Sequence, residues 1–287
     1  MNSISFIKQW LLPPLLFKLL VKFAKYVRDI KYSKKYFKKN NELKNIHTED
    51  RCFIIGLGSS IKKQDLTLLE NEIVIGVSSL FNHKDIAKIK PNYYVLSPVF
   101  TYHAKYVKKE NFIKWLRAMD ESLENNVIMF IHIGDKKYID EYDIFSKKTI
   151  YWNKYSVWMG GDIKNISLDA IPDINSVSET ALAIALYLDF KKIYMLGFDH
   201  SWYEGVYHYF DNKKVFKYFG KTQHDIKKEH GFDSESHMIA HAEIFKKYKK
   251  LYQIKKNIFN VNSNENTYVD TFPKIKYEEL FIKGENE

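Results

Sequence analysis

Two histidines, His237 and His241, stand four residues apart in Ser236-His237-Met238-Ile239-Ala240-His241, at the head of a segment with helical periodicity. That spacing puts both imidazoles on one helical face, where they could share a metal ion or act singly as a base. The Glu of the H-E-x-x-H zinc motif is absent and no third ligand stands out. A general base is the better reading, because a neutral imidazole near pH 7 can take a proton from a hydroxyl. Upstream, Ile193-Tyr194-Met195-Leu196-Gly197-Phe198-Asp199 reads as a buried strand ending on a carboxylate. Open α/β sheets place ligand contacts at such strand ends. His200, Trp202, Tyr203, Tyr207, His208 and Tyr209 follow at once, a density of imidazole and phenol groups that points to a site more than to a core.

Two further stretches could meet an anion. Gly56-Leu57-Gly58-Ser59-Ser60 follows an apolar run and precedes Ile61-Lys62-Lys63. Glycines at a strand-to-helix turn let the backbone approach a phosphate or ribose. The third glycine of the dinucleotide fingerprint is missing, which makes the turn a candidate for a mononucleotide and not for NAD. Asn175-Ser176 opens an Ala- and Leu-rich helix in which Ser176 and Glu179 have the capping-box spacing. Its first amides could bind a donor phosphate or a sugar carboxylate, or the motif could serve as a cap alone.

The elements that must position these residues alternate. Apolar, β-branched runs predict strands at Cys52–Gly56, Ile73–Val77, Tyr93–Leu96, Val127–His132, Ile193–Phe198 and Ile258–Val261. Helical patterns lie near Lys63–Glu70, Asn111–Asn125, Ser178–Leu188 and His237–Ile254. Runs without polar alternation fit a sheet covered on both faces. The expected fold is α/β: a Rossmann-like, mostly parallel sheet with helices on both faces. Residues from about 200 to 236 lack a period and read as a lid.

The charge of +10 invites a nucleic-acid reading until it is located. Eleven of the 45 basic residues and two of the 35 acidic ones fall in residues 1–46, leaving 34 against 33 in the body. A basic arm on a neutral body is no nucleic-acid groove. Within the arm, Lys18, Lys22, Lys25 and Arg28 share one helical face, and Leu16, Leu19, Leu20, Phe23 and Val27 the other. This is the pattern of an amphipathic basic helix lying on anionic lipid through residues 8–39, although packing on the protein's own core would use the same apolar face. The apolar stretch Trp10–Phe17 is short and broken by Pro13-Pro14, too little for a spanning helix. Lys31–Lys44 reads as a polar linker, so residues 1–46 form an arm and 47–287 a domain. The single cysteine, Cys52, sits in an apolar run as a core residue, and one cysteine allows no intrachain disulfide. Plentiful Tyr and Phe suit sugar stacking, and an AT-rich genome accounts for them equally well.

In combination and order, these motifs resemble the bacterial family-42 sialyltransferases, within the MptE-like (6-hydroxymethylpterin diphosphokinase-like) superfamily. The family's strand and G-N-G-P-S-L-K turn resemble Gly56–Lys62, and its T-S-G helix start resembles Asn175-Ser176. Its strand ending G-I-D is similar to Gly197-Phe198-Asp199, and its S-H-Y-I-G-H to Ser236–His241. The resemblance covers residues 50–265 and departs at the donor side. Leu57 stands for a donor-binding Asn, Ser78 and Ser97 for two others, and Asp173 for an Arg. It implies inverting, metal-independent transfer of a sialic-acid-like sugar from a CMP-activated donor to a glycan hydroxyl, in polysaccharide or lipooligosaccharide synthesis. By resemblance His241 is the base, and Tyr203 and Tyr207 (or His208) stabilise the leaving phosphate. Gly56, Gly58, Ser59, Ser60, Ser78, Ser97, Asn175, Ser176 and Asp199 would face the donor. The nucleotide sugar is a substrate, no cofactor is implied, and the acceptor would be a glycan, lipid-linked at the inner face of the cytoplasmic membrane. An ATP-dependent diphosphokinase and a non-catalytic nucleotide-binding protein of a polysaccharide locus are the alternatives.

Overall fold

The computed structural model describes residues 33–98, 108–155, 166–171, 176–200, 234–261 and 269–282. Seven strands form one sheet in which every pairing is parallel: β1 Arg51–Ile55, β2 Ile73–Val77, β3 Tyr93–Val95, β4 Ile128–His132, β5 Thr149–Asn153, β6 Lys192–Leu196 and β7 Ile258–Val261. Their order is β5-β4-β3-β2-β1-β6-β7. The chain therefore runs outward from β1 to β5 and returns to β6 on the other side of β1. That reversal makes the β1/β6 gap the switch point of a Rossmann-like sheet.

Strand alternation divides the core in two. On one face Phe53, Ile55, Val74, Tyr94, Met129 and Leu196 pack with Phe112, Trp115, Leu116 and Met119 of the helix Lys109–Ser122. On the other, Cys52, Ile54, Ile75, Val95, Phe130 and Met195 meet the helices Val177–Leu188 and Ser234–Ile254. In chain order the helices are α1 Ile86–Ile89, α2 Lys109–Ser122, α3 Lys136–Glu141, α4 Val177–Leu188 and α5 Ser234–Ile254. Nearly all of α4 is buried, which explains why its sequence is apolar all round. Cys52 is wholly buried, and burial pushes its thiol well above the ordinary range.

Each of the six expected strands is present within a residue or two of its expected bounds. A seventh, β5, was not read from the sequence. It is an edge strand whose residues alternate between exposure and burial, flanked by Lys147-Lys148 and Lys154. The stretch expected as a helix near Lys63–Glu70 holds only a 3-10 turn at Leu66–Leu69, started by the Asp65 side chain accepting from the Thr67 amide.

Residues 33–43, expected as part of a polar linker, instead form helical turns seated on β5. Phe37, Asn40 and Leu43 recur every third residue and are buried. The Asn40 amide donates to the Trp152 carbonyl at 2.9 Å, and the Tyr187 hydroxyl donates to the Asn40 carbonyl at 2.9 Å. The amphipathic stretch before them and most of the expected lid lie outside the described residues. Among the described residues no helix is long and apolar enough to cross a membrane.

Candidate functional site

The switch point is closed by side chains from both strands that flank it. β1 runs into Gly56–Ser60 and β6 into Gly197–His200, and the two turns touch. A Cβ at Gly56 would lie 2.5 Å from the Gly197 carbonyl oxygen, and one at Gly58 would lie 2.6 Å from the Asp199 carboxylate. Both glycines are thus required by the neighbouring turn itself. The Asp199 carboxylate accepts from the Ser60 amide at 2.8 Å, the Ser60 hydroxyl at 2.5 Å and the Ser59 hydroxyl at 3.3 Å. Of the residues expected at the donor, Gly56, Gly58, Ser59, Ser60 and Asp199 therefore form one cluster. Within it Asp199 occupies the place on the turn that an anion would take.

A second cluster lies beside it, on the α4 face. His200 follows Asp199 in the left-handed region, at φ +53°, an uncommon conformation for a residue with a side chain. Its Nε2 lies 3.0 Å from the Tyr248 hydroxyl, which donates to the Ser178 hydroxyl at 2.8 Å. Ser178 in turn is hydrogen-bonded to Ser176. Because the Tyr248 proton goes to Ser178, the Tyr248 oxygen accepts from His200 Nε2–H. Burial, reinforced by the nearby His241, pushes His200 down to about 3, so it stays neutral. His241 is itself buried, and its ring meets that of His200 edge-on at 5.6 Å and that of Phe245 at 6.1 Å.

Local sequence explains this convergence. His241, Phe245 and Tyr248 recur at intervals of four and three and so share a stripe of α5. Ser176 and Ser178 are brought up by the capping box, in which the Ser176 amide donates to the Glu179 carboxylate at 2.9 Å and the Ser176 hydroxyl accepts from the Glu179 amide. Lys247 of α5 lies 3.5 Å from the same buried carboxylate, pinning the two helices together. In the sequence His200 stands among the aromatic groups after β6 with no role expected of it, and no motif there marks Tyr248. An i, i+7 His–Tyr pair on one helical face was the available signal.

The remaining expected residues are dispersed or undescribed. Ser78 follows β2 at φ +51°, half-buried, and its carbonyl accepts from the Tyr94 hydroxyl at 2.9 Å. Ser97 is half-buried two residues beyond β3. Asn175, Tyr203, Tyr207 and His208 lie outside the described residues, as do the side chains of Ser236 and His237. Among the described residues no group of three or more His, Cys, Asp or Glu is placed to hold a metal ion.

A third polar group sits at the ends of β4 and β5. His132 and Asn153 are aligned in the strand register, and the His132 ring lies 4.9 Å from that of Tyr155. The Tyr155 hydroxyl is 3.3 Å from the Thr180 hydroxyl, in the first turn of α4. None of these four residues is marked as a site residue by the sequence alone.

No family model and no curated protein sequence matches the chain. Among solved structures it is similar to a sialyltransferase. The crystal structure of the sialyltransferase CST-II in complex with trisaccharide acceptor and CMP is similar with a TM-score of 0.40 and 17% identity, over 78% of this chain and 85% of that one. CstII from Campylobacter jejuni in complex with cytidine-5'-monophosphate gives 0.39 and 16%, over 80% and 85%. The same enzyme with CMP-3FNeuAc gives 0.42 and 16%, over 79% and 86%.

Proposed function

We propose that the chain is an inverting glycosyltransferase that moves a sialic-acid-like sugar from a CMP-activated donor to a hydroxyl of a cell-surface glycan. The observation that carries this reading is the pairing of His241 with His200 beside the serine-lined start of α4, at the carboxyl ends of a parallel sheet. Its chemistry suits removal of a proton from a hydroxyl. His241 takes the acceptor proton, the acceptor oxygen bonds to the anomeric carbon, and the bond from that carbon to the phosphate oxygen breaks. CMP leaves with the electron pair. In this scheme Tyr203 and Tyr207 donate to the departing phosphate, a stabilisation that grows as charge develops and needs no metal.

Asp199 refines the donor assignment. Since its carboxylate already holds Ser59 and Ser60, the phosphate is better assigned to the start of α4, where Asn175 and Ser176 lead into the favourable dipole of a helix N-terminus. The turn from Gly56 to Ser60, with Ser78 and Ser97 at the next strand ends, is then left to ribose and sugar. The arm ahead of the turns seated on β5 would hold the enzyme on anionic lipid at the inner face of the cytoplasmic membrane, near a lipid-linked acceptor. The deciding experiment is a thermal-shift comparison of nucleotides. Stabilisation by CMP over AMP, UMP and GMP supports the reading, and stabilisation by ATP with Mg²⁺ alone overturns it in favour of a diphosphokinase.

A further inference from the structure

The group at the ends of β4 and β5 contains a wholly buried carboxamide. The register pairs His132 with Asn153, and both follow residues of the α4-side core, Phe130 and Tyr151, by two positions. The two side chains are thus neighbours on the α4 face. Asn153 is 0% exposed, and neither its Oδ1 nor its Nδ2 has a hydrogen-bond partner among the described residues. A carboxamide buried with both ends unmatched forfeits the hydration of a donor and an acceptor together. Native proteins keep such a group where something else supplies the partners.

What would match it follows from its neighbours. His132 Nδ1 accepts from the Gly134 amide at 3.1 Å, and burial, helped by Lys154, lowers its pKa to about 4. The neutral ring therefore carries its proton on Nε2 and offers a donor. Asn153 adds a donor and an acceptor. The first turn of α4 stands between this group and the proposed active site, with Thr180 facing Tyr155 on one side and Ser178 facing Tyr248 on the other. A phosphate or carboxylate offers acceptors only and would leave the Asn153 carbonyl oxygen unmatched. A sugar ring offers adjacent hydroxyls, each a donor and an acceptor.

We propose that His132 and Asn153 form a carbohydrate subsite that binds neighbouring hydroxyls of an uncharged sugar ring. Its role as the acceptor end of a transferase rests on the function proposed above; its binding of a sugar does not.

The test uses the full chain, labelled with ¹⁵N and deuterated, with the Asn153 side-chain NH₂ signal assigned by its loss in Asn153→Leu. Methyl galactoside, methyl glucoside and cytidine are titrated separately. The expected result is a saturable shift of that signal with at least one glycoside and none with cytidine. Asn153→Leu and His132→Phe should each weaken that glycoside about tenfold or more, the loss of a matched hydrogen-bonding pair. Asn153→Leu should also melt no lower than the parent, because Leu replaces an unmatched amide, and Asn153→Ser repeats the comparison if Leu overfills the space. A shift with cytidine overturns the carbohydrate assignment. No shift with any ligand, together with a contact to buried water and a lower melting point for Asn153→Leu, makes the residue structural and also overturns it. Glycoside binding without stabilisation by CMP would leave the subsite standing and remove the transferase reading, and the reverse would remove the subsite alone.

Discussion

The Asp199 carboxylate, at the end of β6, accepts from the Ser60 amide at 2.8 Å and from its hydroxyl at 2.5 Å across the switch point of the sheet. This contact joins the first strand to the sixth, 139 residues later in the chain. It also fills the cradle in which a G-x-G turn would otherwise hold an anion. Asp199→Ala leaves the Ser60 amide and two hydroxyls to find new partners in a buried setting. A loss of about 2–4 kcal/mol is expected, since charge-assisted hydrogen bonds are the strong ones. Gly58→Ala, which brings a methyl to 2.6 Å from the same carboxylate, should also destabilise, by about 1–3 kcal/mol. Urea unfolding of the two variants and the double variant measures both, and a near-additive double would show that the two do not share this contact.

The burial of His200 gives a stability that depends on pH. Its pKa is about 3 when folded, against an ordinary 6.5, so between those values the unfolded chain binds a proton that the native chain does not. The contribution is fully present above about pH 6.5 and is lost as pH falls toward 3. His132, held to about 4 by burial and Lys154, adds in the same direction over pH 6.5 to 4. Urea midpoints should therefore drop steeply between pH 7 and pH 4.5, and His200→Phe should flatten part of that slope. An unchanged slope in His200→Phe would mean that the imidazole is not buried neutral.

The hydroxyl of Tyr248 is the only atom changed by Tyr248→Phe, yet it serves both His200 and Ser178. Its removal leaves a buried imidazole N–H unmatched, at a cost of about 1–3 kcal/mol. Ser178→Ala acts on the same network, so the double variant should cost clearly less than the two singles combined. A double-mutant cycle by chemical denaturation checks this, with additivity as the contrary outcome.

How far these features were legible in the sequence follows from range. Continuous apolar runs such as Cys52–Ile55 and Ile193–Leu196 report burial on both faces, so the parallel sheet could be read directly. The Ser176–Glu179 cap is local and was equally plain. β5 was not, because an edge strand alternates and carries little apolar signal. The roles of Gly56 and Gly58 were also hidden. A glycine pair after a strand is the same string whether the approaching atom belongs to a phosphate or to Gly197, and only the β1/β6 pairing decides. Tyr248 and Asn153 share that difficulty, since each owes its importance to a partner, or to a missing one, far away in the chain.

The arm is open to test without reference to the catalytic reading. Lys18, Lys22, Lys25 and Arg28 share one face of the expected helix, and each is worth about 1 kcal/mol near an anionic surface. The full chain should float with vesicles rich in phosphatidylglycerol, less so at high salt, and not with neutral vesicles. Reversing those four residues to Glu should abolish flotation. Salt-independent flotation on neutral lipid would instead favour the apolar face acting alone.

His241 carries the sharpest expectation. If it removes the acceptor proton, His241→Gln should lower the turnover for sugar transfer by about 10²–10⁴-fold, the usual worth of a general base. Stabilisation by CMP should be unchanged, because the base touches the acceptor and not the nucleotide. Tyr248→Phe provides the control, since it disturbs the same cluster through His200 without removing the base. It should lower turnover far less than His241→Gln at matched stability. Release of CMP from the activated donor, measured with and without a glycan acceptor, separates the two. Equal losses in both variants would indicate that His241 holds the cluster together, and transfer at the parent rate in His241→Gln would remove it from the chemistry altogether.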